Sequence, residues 1–371
     1  MFILNDNNRF LTSYGLFVSI IVTVVGVGIF SFPRELINLV GTDGWIETII
    51  IGVISFFLLY LIYKVVEKND YCTISQIFRR CFGKYFGGVV ALIFVAYLIF
   101  SICIGMRIYV EVIKMYLLDK TPTEFLTMIT LITGVYLVRG GISSLVKFNE
   151  ISFWIMFIPF IIVLLFTLSD IDFTNIFPVF SNSPDVYFKA ALTTVYSFAG
   201  FEIAYLLLPV LRNRNNIVKT ISRSMIFITI IYIIIVILSL CVFSKKQAGL
   251  LLWPTITMIQ SIDIPGTFIE RWEGVAMTLW ILFYFTTFAN LFYLSADILR
   301  ESFKLKEIKI SSLIILPFLY IGTLYPDSVV EVYDISKRIV PVFALIIYVL
   351  MPCILYLITI LRKRGKAHET T

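Results

Sequence analysis

Ten stretches of this sequence are apolar over nearly the length that a helix needs to cross a lipid bilayer. They cover approximately residues 10–39, 45–63, 87–117, 124–138, 148–168, 187–211, 220–243, 272–299, 311–325 and 338–361. A spanning helix needs about 20 apolar residues, because its backbone groups must pair internally where no water is present. We number these stretches spans 1 to 10, of which spans 4 and 9 are short. The pattern predicts an all-α polytopic membrane protein with ten transmembrane helices in a single transmembrane domain, residues 1–371.

Composition and charge agree with a membrane protein. Hydrophobic residues make up 59% of the chain, charged residues 15%, and the mean hydropathy is +0.95, well outside the globular range. Basic residues are about twice as frequent in the segments on the N-terminal side of the membrane as in those on the opposite side, which predicts that both termini are cytoplasmic. The net charge of +6 follows from this topology and indicates no nucleic-acid partner.

Residues for catalysis or metal binding are scarce. The chain has one histidine, His368, close to its C-terminal end, and its five cysteines show no CxxC spacing. A Ser-His-Asp triad and a histidine-based zinc site are therefore excluded. We predict that the protein is not an enzyme, has no metal site and has no cofactor.

Two of the spans are interrupted near their middle. Span 1 contains VGVGIFSFPR, with Gly26, Gly28 and then a proline, and span 6 contains YSFAGFEIAY, with Gly200 and the ionisable Glu202. Glycine and proline both disfavour a helix interior. Either interruption alone is typical of close helix packing.

The positions of the two interruptions give them a common meaning. Each lies in the first span of a five-span half, about 10–168 and about 187–361. An odd number of spans reverses direction, so the halves are predicted to be inverted repeats. Interrupted helices at matching positions of two such halves indicate a binding site at the membrane midplane. The freed amide groups would bind a carboxylate and the freed carbonyl groups an ammonium, which predicts a zwitterion such as an amino acid.

Several motifs also resemble known families. VGVGIF is similar to the GSGIF-type motif in the first helix of amino acid–polyamine–organocation transporters, SFAGFEIA to the F-x-G-F-E signature of their sixth helix, and FRRCFGKYFG to their first inner loop. This resemblance implies the LeuT-type fold of five plus five helices, with helices 1 and 6 broken. More narrowly, GVGIFSFPRELI, GTDGWI and IERWEGVAMTLWILFYFTTF resemble the endospore germination permease family, the B subunits of spore germinant receptors, essentially from end to end. That family implies the spore inner membrane, a small nutrient ligand, and separate A and C subunits.

The resemblance also implies which residues form the ligand site. From the two interruptions it takes Val25, Gly26, Val27, Gly28 and Ile29, together with Phe198, Ala199, Gly200, Phe201 and Glu202. Span 3 adds Tyr97 and Ser101, with Phe100 beside them, and span 8 adds Tyr284 and Thr287. Thr286 and Thr287 resemble one side of a sodium site whose other side is formed by carbonyls of span 1. Coupling to Na⁺ or H⁺ is doubtful, because a serine or threonine hydroxyl commonly binds its own helix backbone and span 5 has no lysine near its middle.

Alternatives stay open at this point. Glu202 is expected to gate the inner side, carry a proton or pair with a basic residue, or else to accept a hydrogen bond from a loosened helix end. Arg107, Glu111 and Lys114 fit an interfacial series on span 3, and the alternative is that Arg107 reaches the site. The leading functional hypothesis is a ligand-sensing receptor subunit on a transporter scaffold. An amino acid symporter or exchanger is the second, and a channel the third.

Overall fold

The computed structural model of the chain describes residues 10–26, 28–262 and 272–368, which contain helices but no β-strand. The α-helices are α1 Ser13–Val24, α2 Gly28–Val40, α3 Gly44–Lys68, α4 Ile74–Phe82, α5 Lys84–Tyr116, α6 Thr123–Arg139, α7 Ile142–Phe166, α8 Pro184–Thr194, α9 Ala204–Leu207, α10 Ile217–Leu250, α11 Pro254–Gln260, α12 Trp272–Ser302, α13 Ile308–Leu324, α14 Val329–Ala344 and α15 Met351–His368. Short 3-10 turns join several of them, and a π-helical turn, Leu345–Leu350, joins α14 to α15.

Both predicted interruptions are confirmed. Span 1 is divided into α1 and α2, with Val25 and Gly26 in non-helical conformation between them, and Val27 lies outside the described residues. Span 6 is divided at Ala199 and Gly200, and its two parts, Pro184–Phe198 and Phe201–Val210, are bent by 53°. Glycine destabilises a helix interior relative to alanine, which explains why the helices are interrupted at these positions.

The predicted number of ten spans is not confirmed. Within the described residues, six helices are long and apolar enough to cross a membrane, or seven if the bent pair is counted as one span. The 12 residues of α1 and the 17 of α13 fall short of that length, although both are apolar. The helical segments otherwise follow the predicted spans, with α4 and α11 as additional short helices in the connections.

The two broken helices touch each other at their interruptions. Gly200 has φ +114, and a Cβ atom there would lie 2.7 Å from the carbonyl oxygen of Thr23 and 3.1 Å from the Cα of Val24. A side chain therefore cannot fit between the two backbones without moving one of them. The inner ends of the same spans are also joined, since Leu11 donates to the Val210 carbonyl at 3.2 Å and accepts from the Arg212 amide at 3.0 Å.

A buried network of amides and hydroxyls fixes α1 against α7 and α12. Asn149 donates to the Ser19 hydroxyl at 3.1 Å and to the Asn290 carbonyl oxygen at 2.9 Å, and Asn290 donates to the Thr23 hydroxyl at 2.8 Å. These side chains are almost fully buried. Buried polar groups are costly unless they are paired, so the network specifies how the inner part of span 1 sits.

The GTDGWI motif anchors the connection between the two halves. Asp43, fully buried between α2 and α3, accepts from the amides of Phe180 and Ser181 at 2.7 and 2.9 Å. It also accepts from the Asn182 amide group and the Tyr187 hydroxyl, both at 2.8 Å. One carboxylate thus holds both the connecting segment and the start of α8, the outer half of span 6, against the first repeat.

Candidate ligand-binding site

A cavity of about 500 Å³ lies where the two interruptions meet. Its wall is completed by α5, α12 and α14, and its rim includes the exposed residues Asn38, Leu39 and Lys337. We call this rim the outer end, because the predicted topology puts the end of α2 outside. The opposite end, which we call the floor, lies at Glu202 and Tyr348.

The structure brings most of the predicted site residues to this cavity. Of the predicted residues, nine line it: Gly26, Gly28, Tyr97, Ser101, Ala199, Gly200, Glu202, Tyr284 and Thr287. Val25, Ile29, Phe198, Phe201 and Thr286 are buried behind the lining, and Val27 lies outside the described residues. Contact of the lining residues with a ligand stays a prediction.

The two aromatic rings that flank the second interruption face the protein interior. Phe198 packs between Phe32, at 6.2 Å between ring centroids, and Tyr232, at 5.1 Å. Phe201 packs against Tyr348 at 5.1 Å. Both rings are fully buried, so in this conformation they support the walls of the cavity and do not cover a ligand.

Hydroxyl groups already bind the carbonyls that the first interruption frees. Thr286 donates to the Val22 carbonyl at 3.0 Å, and Thr287 donates to the Thr23 carbonyl at 2.9 Å. The Val24 carbonyl accepts from the Gly26 amide at 2.9 Å. The predicted cation site therefore consists of neutral oxygens, with no carboxylate among them. Such oxygens suit a weakly held alkali ion, and coupling to a cation stays a prediction.

The floor is closed by a chain of hydrogen bonds that ends on Glu202. Its carboxylate accepts from the Gly200 amide at 2.7 Å and from the Tyr348 hydroxyl at 3.2 Å, and the Tyr348 and Tyr97 hydroxyls bind each other. Tyr348 reaches this position from the π-helical turn, a feature frequent at functional sites. Of the alternatives for Glu202, the structure shows the hydrogen bond to a loosened helix end.

Sequence reasoning missed the polar outer part of the cavity. Glu35 lines it and accepts from Tyr196 at 2.9 Å, from Ser31 at 3.3 Å and from Ser197 at 3.4 Å. Arg34 and Lys337 line the same end. The segment PRELI, which contains Arg34 and Glu35, did carry a signal for this part of the cavity. Ionisable residues inside an apolar run indicate a functional site unless another role accounts for them.

Arg107 lies near the outer end of α5 and not in the cavity lining. Its guanidinium forms an ion pair with Glu111 at 3.1 Å and donates to the Asp327 carbonyl at 3.0 Å. Lys114, further along the helix, donates to the Thr123 hydroxyl at 2.9 Å. These contacts agree with the interfacial series and attach α5 to the loop before α14.

The family is decided by comparison of the whole sequence with known proteins. A family model described as "Spore germination protein" matches residues 10–332. The chain is a member of the spore germination protein family. The predicted resemblance to germination permeases is thus confirmed.

Relatives within the spore germination protein family match nearly the full chain. Spore germination protein A2 of Bacillus subtilis (strain 168) is 28% identical over 92% of this chain and 93% of its own length. Spore germination protein B2 of the same organism is 26% identical, with coverages of 92% and 93%. Spore germination protein GerQB of Bacillus cereus is 27% identical, with coverages of 93% and 94%.

Solved structures show the fold of this family member. A Na⁺-coupled sialic acid symporter in its substrate-bound outward-open state aligns with a TM-score of 0.64 and 11% identity, over 90% of this chain and 76% of its own. Mhp1, a nucleobase-cation-symport-1 transporter, aligns with a TM-score of 0.59 and 12% identity, over 89% and 75%. The predicted LeuT-type fold is confirmed. The chain is an integral membrane protein, and its family supports a role in spore germination.

Proposed function

We propose that this protein is the B subunit of a spore germinant receptor, and that it binds a small nutrient, an amino acid, in the cavity between its two broken helices. The observation that carries the proposal is the meeting of both interruptions at one cavity, in a chain of the spore germination protein family. Binding would signal through A-type and C-type subunits in the spore inner membrane, with both termini of this chain in the cytoplasm.

The geometry explains how a ligand could drive a conformational change. The cavity separates α2, α8 and α14 at its outer end, whereas the inner halves of spans 1 and 6 are held together at Gly200 and Leu11. A ligand that contacts both interruptions stabilises whichever arrangement of the outer helices fits it better. Its effect is limited by the difference between its affinities for the two arrangements.

An amino acid symporter or exchanger is the second candidate. It is supported by the likeness to two symporter folds and by the threonine hydroxyls that face the span 1 carbonyls. The two candidates use the same pocket and differ in whether the ligand crosses the membrane.

Substitution of Gly28 tests the site. A Cβ atom at Gly28 would lie 3.7 Å from the Tyr232 hydroxyl and 3.8 Å from the Ser197 carbonyl, which is ordinary contact. Gly28→Ala should therefore be tolerated, whereas Gly28→Val adds two further methyl groups that need room beside the Tyr232 hydroxyl and the Ser197 carbonyl. We expect Gly28→Val to remove binding of the amino acid at the interruptions, measured with the purified chain in nanodiscs. Equal affinity in Gly28→Val and Gly28→Ala proteins would contradict the proposal.

A flux experiment separates the two candidates. The purified chain is reconstituted in liposomes, and uptake of a labelled amino acid is followed. The measurement is made with and without a concentration gradient of that amino acid across the liposome membrane. We expect saturable binding without turnover, and co-purification of two further subunits from spore membranes. Sustained uptake that Gly28→Val abolishes would favour the transporter.

A further inference from the structure

The carboxylate of Glu35 lies close to the first interruption, although Glu35 itself is about two turns along α2 from Gly28. A long side chain in a helix leans toward the N-terminal end, and the carboxylate accepts from Ser31, in the first turn of α2, at 3.3 Å. It also accepts from the Ser197 hydroxyl at 3.4 Å. The carbonyl oxygen of Ser197 is 3.8 Å from where a Cβ atom at Gly28 would lie. Glu35 and the interruption therefore border the same part of the cavity.

Glu35 is held by neutral donors from both repeats. Ser31 belongs to the first repeat, and Ser197 and Tyr196, whose hydroxyl donates at 2.9 Å, belong to the second. A carboxylate has about four acceptor positions, so these three hydrogen bonds leave room for a further donor. Arg34 and Lys337 also line the cavity, but within the described part of the chain no basic side chain forms an ion pair with Glu35. A cationic partner for this carboxylate must come from outside the protein.

Glu35 is the more accessible of the two carboxylates that line the cavity among the described residues. The other is Glu202, which is 2% exposed and accepts from the Gly200 amide and the Tyr348 hydroxyl at the floor. Glu35 is partly exposed. A ligand that enters the cavity can therefore contact the carboxylate of Glu35 without displacing a hydrogen bond of the protein.

The carbonyls at the first interruption are weaker partners for an ammonium group. The carbonyls of Val22 and Thr23 already accept from two threonine hydroxyls, and that of Val24 accepts from the Gly26 amide. They are also neutral, whereas a hydrogen bond between an ammonium and a carboxylate is charge-assisted and about twice as strong. An ammonium group in this part of the cavity is thus bound best by Glu35.

We propose that Glu35 determines the specificity of the site by binding the ammonium group of the amino acid. The carboxylate of the same molecule lies at the N-terminus of α2, where free amides and the helix dipole favour an anion. One ligand then reaches from the interruption to Glu35, and acids without an ammonium group are bound weakly. The proposal rests on the proposed function, because it concerns the same site. It adds the residue that selects an amino acid, in place of the freed carbonyls that the sequence indicated.

The test compares L-alanine with L-lactate, which carries a hydroxyl group where L-alanine carries its ammonium. Affinities are measured by equilibrium dialysis with the purified full-length chain in nanodiscs. We expect the wild-type chain to prefer L-alanine at least about tenfold, and Glu35→Gln to lose that preference because its L-alanine affinity alone falls about tenfold or more. Retained L-lactate binding would show that the variant is folded. Glu35→Asp keeps the charge and should keep a preference for L-alanine.

A purely structural role of Glu35 predicts a different result. If the side chain only shaped the cavity, Glu35→Gln would weaken both ligands equally and leave the preference unchanged, and that result would overturn the proposal. Glu47→Gln is the matched control, because Glu47 is a buried carboxylate in α3 that does not line the cavity. It should leave both affinities unchanged.

The specificity of Glu35 and the proposed function can fail separately. L-alanine binding that Gly28→Val removes, with a preference that Glu35→Gln leaves intact, would overturn the role of Glu35 alone. Binding that is equal in Gly28→Val and Gly28→Ala, with a preference that Glu35→Gln removes, would overturn the site at the interruptions and support the ammonium contact. If none of the twenty standard amino acids binds the wild-type chain, both proposals fail.

Discussion

Substitution of Gly200 by alanine tests whether the contact between the two interruptions is a requirement of the fold. The new Cβ would lie 2.7 Å from the oxygen and 2.9 Å from the carbon of the Thr23 carbonyl, and 3.1 Å from the Cα of Val24. All three atoms belong to backbone, so no side chain can rotate away. The residue also has φ +114, a conformation that L-residues with a side chain rarely adopt.

The expected cost has two parts. The unfavourable backbone conformation contributes about 1–2 kcal/mol, and forcing an extra methyl group into a packed contact contributes about 1–3 kcal/mol. Their sum, about 2–5 kcal/mol, is a large fraction of the stability of an ordinary domain. Relief of the clash must separate the inner halves of spans 1 and 6, which would deform the cavity between them.

The assay measures two properties of the Gly200→Ala protein in nanodiscs, its thermal unfolding midpoint and its affinity for L-alanine. We expect the midpoint to fall by several degrees and the affinity to fall at least about tenfold, since every 1.4 kcal/mol is a factor of ten. Gly88→Ala is the control, because a Cβ at Gly88 in α5 meets no atom within 4 Å. That variant should melt at or slightly above the wild-type temperature.

A Gly200→Ala protein that melts and binds like wild type would refute the reasoning. It would mean that the two interruptions do not approach each other as described, and the cavity would then have different walls. A protein that melts normally and binds weakly would show instead that the contact serves the ligand site more than the fold.

Three further predictions concern the surroundings of the interruptions. A Cβ at Gly26 would lie 2.4 Å from the Thr287 hydroxyl, so Gly26→Ala should weaken L-alanine binding, and the loss should be smaller when Thr287→Ala is also present, as a double-mutant cycle would show. Asn149→Leu leaves the buried amide of Asn290 without one of its partners, and should lower the free energy of unfolding by about 1–3 kcal/mol, measured by denaturant titration. Affinity for L-alanine should be the same in sodium chloride and in choline chloride, because the hydroxyls at the predicted cation site bind carbonyls directly; affinity that returns only with Na⁺ would contradict this.

The fold class was predictable because a bilayer leaves few choices. Apolar runs of spanning length must be helical, and interruptions in them must line a cavity. Gly26, Gly28 and Gly200 marked the interruptions, and the five-plus-five order of the spans followed from their positions. The number of spans was harder to determine, since α1 and α13 are shorter than a full crossing and the chain pattern does not show how a helix sits in the membrane.

The site was predictable in its centre and not at its outer end. Residues next to an interruption in the sequence are next to it in space, which is why Gly26, Ala199 and Glu202 were found. Glu35 lies about two turns along α2 from the interruption, and its partners Tyr196 and Ser197 come from the other repeat, some 160 residues later in the chain. No local sequence pattern indicates that Glu35 contacts Tyr196 and Ser197.

The sequence by itself determined where the helices lie, where two of them are interrupted and that lipid surrounds them. Helix propensity and hydrophobicity are properties of neighbouring residues, so a local pattern is enough to show them. Tertiary structure alone decided that Gly200 lies against Thr23, that Glu202 binds Tyr348 and that Glu35 shares a cavity with Lys337. These contacts depend on how the two repeats pack, and packing is fixed by the shapes and polar groups of residues far apart in the chain.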